Sequence, residues 1–143
     1  MIGGLPGASP IDEPEVVVHD LAQARAALAA AAEVGRKIRL RSAPDAATYA
    51  GIGYLKALGE AAGHELLIDC GDDAGLVMAA LRTGCGRLAF SGPAAVSQRL
   101  AEMAAEVGAL YRHETEAPVM LRLSPDDDDA RSRCRAWLLD HGW

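Results

Sequence analysis

A chain of 143 residues is long enough to bury a core without disulfide or metal staples, and its length fits one ordinary domain. Half of it is hydrophobic but only 4% is aromatic, so the core must be built from Ala, Val, Leu and Ile, with helices lying close to the sheet. A net charge of −6 argues against a general nucleic-acid surface, which needs clustered Lys and Arg, and leaves protein or small-molecule partners.

Residues 1–14, rich in Gly and Pro, read as a flexible lead-in. "EVVVHD", residues 15–20, is a β-branched run suited to a buried strand, and "LAQARAALAAAAEVG" follows as a helix stopped by Gly35. "RKIRLRS" is the next strand, and "DAATYAGIGYLKALGEAAG" a helix ending at Gly63. The pattern then restarts: "ELLIDC" is a strand, "DDAGLVMAALRTG" a helix, "RLAFSG" a strand and "AAVSQRLAEMAAEVG" a helix ending at Gly108. "PVMLRL" supplies a last short strand. Glu15 falls on Glu65 and "RSAPDAA" lies close to "FSGPAA", so units 15–64 and 65–110 read as a β-α-β-α duplication. Strands this apolar need both faces covered. The expected fold is one small layered α/β domain over 15–124, with a mostly parallel sheet of four to five strands.

The tail "SPDDDDARSRCRAWLLDHGW" reads as a C-terminal amphipathic helix over 125–143. Ser124 caps it, Asp126 to Asp129 lie in its first turn, and Asp127–Arg131 and Asp129–Arg133 form i,i+4 pairs. Cys134, Trp137, Leu138 and His141 share one stripe. The first two helices carry few charges for outer surfaces, which points to self-association as a homodimer, or to a protein partner. Tyr49, Gly51, Gly53, Tyr54 and Trp137 are the expected contacts.

Ligands of parallel α/β sheets bind beyond the carboxyl ends of the strands. Those ends place Arg41, Ser42, Asp69, Asp72, Asp73, Ser91 and Gly92 as candidate ligand-binding residues, with His19 and Asp69 as candidate proton-transfer groups. Ser91 and Gly92 precede a helix whose N–H groups suit a small anion, with Arg41 as its clamp, although neither GxGxxG nor GxxxxGK[ST] is present. No cofactor and no metal site is expected. His64 and His113 lack ligand spacing, and Mg²⁺ enters only by likeness to response-regulator receiver domains, through Asp20, Asp69 and Ser91. Against that likeness, paired acids after the first strand are missing, and Ser124 stands before Pro125 where a receiver has lysine. Cys70, Cys85 and Cys134 have no CxxC spacing and fit reduced, buried thiols. Neither a secretory leader nor an 18-residue apolar run is seen, so no membrane insertion and a cytoplasmic location are expected. All but Lys37 and Lys56 of the 14 basic residues are arginine; with the abundant Ala, this suggests a GC-rich bacterial genome.

Residues 65–110, with Asp69 ending a strand, Asp72, Asp73 and Gly75 opening a helix and "RLAFSGPAAV" following, resemble the second half of STAS domains, the fold of anti-sigma factor antagonists. The resemblance implies a non-enzymatic binding or regulatory module in which Asp73 stands where regulatory relatives carry a phosphorylated serine, so the serine switch would be missing. Residues 15–64 depart from that family, reading as β-α-β-α. Four consecutive βα pairs near 25 residues each also resemble half-barrel units. The competing expectation is a small enzyme acting on a phosphorylated or carboxylated metabolite, with Arg41, Ser91 and Gly92 holding the anion.

Overall fold

Val16, Val17 and Val18 are each at most 2% exposed, so the β-branched run does form a strand buried on both faces. In the computed structural model, which describes residues 13–141, this is β1 (Glu15–Val18). It is followed by α1 (Leu21–Val34), β2 (Arg39–Ser42), α2 (Ala46–Tyr49), α3 (Ile52–Ala62), β3 (Ile68–Asp69), α4 (Ala74–Thr83), β4 (Arg87–Phe90), α5 (Ala94–Glu106), β5 (Leu110–His113), β6 (Met120–Arg122) and α6 (Ala130–Asp140). The class is mixed α/β, with two small three-stranded sheets in the orders β2-β1-β6 and β3-β4-β5. β1 runs parallel to β6, and β4 runs parallel to both β3 and β5. Most of the lead-in expected over residues 1–14 lies outside the described residues.

The chain groups into two compact units. Unit 1 holds the residues up to Leu40 and those from Val119 onward. Its helix α1 starts at Asp20, whose carboxylate accepts the Gln23 N–H at 2.8 Å, and stops at Gly35 in the left-handed region. Ala24, Ala27, Ala30 and Ala31 line its buried side, and α1 packs on α6. The low charge of α1 is therefore met within its own chain: alanine lets the two helices approach closely, and Cys134 and Leu138 of α6 are buried.

Three expectations need correction. The second helix is two, because Gly51 has a φ of 93°, which no helix can pass through; α2 ends before it and α3 begins after it. The tail helix begins at Ala130, five residues late. Asp127 accepts the Asp129 N–H at 2.9 Å, a local turn that competes with helix formation. Arg133 consequently pairs with Asp127, and Arg131 with Glu33 of α1, in place of the i,i+4 pairs. Finally, residues 110–113 form a sixth strand, β5, where the sequence reading left a connection.

Unit 2 runs from Arg41 to Pro118 and contains the last two residues of β2. Arg41 bridges to Leu67 in parallel, which puts the end of β2 beside β3. Phe90, 1% exposed, is among the largest buried side chains, and its ring lies beneath Gly92. A Cβ on Gly92 would fall 2.4 Å from Phe90 Cζ, whereas one on Gly53 would meet nothing within 4 Å. Gly92→Ala should therefore lower the unfolding free energy by about 1–3 kcal/mol, the cost of overpacking. Gly53→Ala, inside a helix, should leave it unchanged or raise it by up to about 1 kcal/mol. Equal losses in urea titrations of the two variants would contradict this.

Candidate functional site

The carboxyl ends of β2, β3 and β5 meet at one arginine. Arg41, one residue before the end of β2, has its side chain 3% exposed; it donates from Nη1 to Glu114 Oε2 at 2.6 Å and from Nη2 to Glu114 Oε1 at 2.7 Å. Nη2 also donates to Asp69 Oδ2, at the end of β3, at 2.8 Å. Glu114 follows β5 directly, and its own N–H is held by the Phe90 carbonyl at 2.8 Å, so the carboxylate is anchored to β4 as well. Arg112 then donates to the same Glu114 Oε2 from Nε at 2.9 Å and Nη2 at 2.6 Å. Two arginines and two carboxylates make a neutral set. It lies across strands that sit about 4.8 Å apart.

The backbone around it is equally committed. Ser42, fully buried, accepts the Asp69 N–H on its hydroxyl at 2.9 Å, and Asp69 Oδ1 accepts the Gly71 N–H at 2.9 Å. The Gly71 carbonyl accepts the Ser91 N–H at 2.8 Å, and His113 Nε2 donates to the Gly92 carbonyl at 2.8 Å. Thus the structure brings Arg41, Ser42 and Asp69 together, with the exposed Ser91 tied to Gly71 by its N–H. Asp72 and Asp73 face solvent, and Asp73 caps α4 by accepting the Leu76 N–H. His19 belongs to unit 1, where Nε2 donates to the Leu123 carbonyl at 2.7 Å and Gln23 Nε2 reaches the Ser124 carbonyl. Asp20 is likewise occupied as the cap of α1. Tyr49 and Tyr54 are 69% and 47% exposed, and open space adjoins Gly51 and Gly53. Trp137 is half-buried, its ring 4.8 Å from that of His141.

Burial opposes the charge on Glu114, yet hydrogen bonds and charge from Arg41, then Arg112, outweigh it and hold its carboxyl below the usual glutamate range. Burial also opposes the Arg41 cation, and Glu114 with Asp69 more than offsets that, so its pKa is raised. Cys70 beside this cluster is pushed up to about 12 by burial and then by the charge of Asp69; Cys134 in unit 1 rises to about 11, again mainly by burial. At neutral pH both are thiols, which are poor nucleophiles. Among the described residues no group of three or more His, Cys, Asp or Glu is placed to hold a metal ion, and no helix is long and apolar enough to cross a membrane.

Sequence reasoning missed Glu114 and Arg112. The available signal was the spacing of the βα pairs: a further strand after the Gly108 stop falls at Leu110, and Glu114 directly follows its carboxyl end. A scan against protein-family models finds no match to this chain, and neither does a search of curated proteins.

Because its pKa is depressed in the folded state, Glu114 contributes stability in full above the ordinary glutamate pKa, about 4.3. That contribution fades as pH falls through the lower folded value. Urea unfolding between pH 6 and pH 3 should show this loss, and Glu114→Gln should flatten it while lowering stability at pH 6. An unchanged pH profile in the variant would contradict the assignment.

Proposed function

We propose that the chain is a non-enzymatic binding or regulatory module, STAS-like in residues 65–110, that self-associates through the α2–α3 elbow. The observation that carries the non-enzymatic part is the Arg41 cluster. Its cations and carboxylates are spent on one another, and Glu114 is held ionised, far from the proton-sharing range that general acid–base work at neutral pH calls for. Arg41 in this state is a tie between strands, and an anion could take it only by displacing Glu114 or Asp69.

Self-association is supported by the elbow itself. Tyr49 and Tyr54 stand out beside two glycines that leave the backbone open to close approach. Tyrosine is favoured at protein interfaces because it offers a large, amphipathic surface at low entropic cost. A second copy is the occupant that fits best, since a two-fold axis near Gly51 and Gly53 would set one pair of rings against the other. In the STAS-like part, Asp73 does structurally what a capping serine does, accepting the Leu76 N–H, while offering no hydroxyl to a kinase. The cytoplasm is the compartment that suits three free, buried cysteines.

Light scattering across a concentration series should give twice the chain mass, and the Tyr49→Arg/Tyr54→Arg variant should give the mass of a single chain with an unaltered circular dichroism spectrum. Wild-type protein that stays at one chain mass at the highest concentration would reject the self-association.

A further inference from the structure

Unit 2 has a second feature, at the opposite ends of its strands from the Arg41 cluster. Before β3 and β4 the chain leaves a cavity of about 300 Å³ lined by Leu55, Lys56, Glu60, Glu65, Leu66, Ile68, Gly84 and Cys85. That volume is at the small end of ligand cavities, which run from roughly 300 to 1,000 Å³. Leu55, Leu66, Ile68 and the Cys85 thiol, all buried, supply its apolar lining. Its charged lining carries both signs. Lys56 Nζ donates to Glu60 Oε2 at 2.6 Å, an exposed i,i+4 pair of the sort that opens at little cost.

Glu65 is placed more firmly. Its Oε2 accepts the Gly86 N–H at 2.9 Å, and a Cβ on residue 86 would lie 2.5 Å from that oxygen, so the carboxylate's seat depends on glycine. Arg87 Nε lies 3.6 Å from Oε1. A carboxylate accepts several donors, so a ligand's ammonium group can share Glu65 with Gly86 and Arg87.

We infer that this cavity binds a free α-amino acid with an apolar side chain. The charges of the lining are balanced, Lys56 by Glu60 and Glu65 by Arg87, so a ligand of single charge would upset that balance and a zwitterion would keep it. A zwitterion exchanges the Lys56–Glu60 pair for two contacts, its carboxylate on Lys56 and its ammonium on Glu60 and Glu65, while its side chain fills the space against Leu55, Leu66, Ile68 and Cys85. This site stands apart from the α2–α3 self-association, and either reading can fail without the other.

The test is calorimetric titration of the full chain with L-valine, L-leucine, L-methionine and L-phenylalanine. At least one should bind. Its amide, lacking the carboxylate, and the matching carboxylic acid, lacking the ammonium, should each bind at least about tenfold more weakly, the loss of one charge-assisted contact. Lys56→Ala and Glu65→Gln should weaken it similarly; glutamine retains the acceptor for Gly86. Occupancy should also slow alkylation of Cys85 by N-ethylmaleimide several-fold, read by mass spectrometry, with Cys70 and Cys134, both more deeply buried, as internal references. Failure of all four amino acids to bind, or binding indifferent to both substitutions, would overturn the inference.

Discussion

Unit 2 depends on a guanidinium taken almost completely out of water. A buried cation is costly unless its donors meet carboxylates in good geometry, and Arg41 meets two, one of them bidentately. The acids arrive from separate strands: Asp69 from β3 and Glu114 from the end of β5. Asp69 and Glu114 are buried against the arginine and the arginine against them, with Arg112 as a second partner of Glu114. The same exchange fixes where the strands end, because Ser42, Gly71 and Phe90 each hold a cluster residue by its backbone or receive one. With both terminal nitrogens of Arg41 on carboxylates from different strands, this arrangement of the strand ends is favoured over others.

That arrangement also bears on function. The carboxyl edge of a parallel sheet is where α/β proteins usually keep their chemistry. Here its charges are matched internally, Glu114 is held ionised and Cys70 is held as a thiol. On the reading proposed above, the module meets its partners through other surfaces and cavities. The exposed tyrosines of the elbow and the cavity at the other ends of the strands are both built where glycine leaves room: Gly51 and Gly53 in one, Gly86 beneath Glu65 in the other.

Much of the α/β order was legible in the sequence, because Val16 to Val18 and Leu66 to Ile68 are apolar runs and Gly35, Gly63 and Gly84 stop the helices. Asp69 stood out for the same reason: it ends such a run. The split at Gly51 was misread since helical periodicity continues on both sides and only the positive φ interrupts it. β5 was missed because "LYRH" is partly exposed and lacks an apolar run, so the strand carrying Glu114 looked like a connection. The cluster's fourth member, Arg112, lay hidden with it. Side chains that pair over 73 residues of chain leave no local pattern for either partner.

If Arg41, Asp69 and Glu114 act as one tie, the direct measurement is a double-mutant cycle on Arg41 and Glu114 in urea unfolding, using Arg41→Met and Glu114→Gln alone and together. Each single change should be strongly destabilising, because it strands a buried charge, and the pair should cost well under the sum, with a coupling of about 1.5 kcal/mol or more. Additive single costs, with coupling inside the range of an exposed surface pair, below about 0.5 kcal/mol, would contradict the claim that this interaction holds the strand ends together.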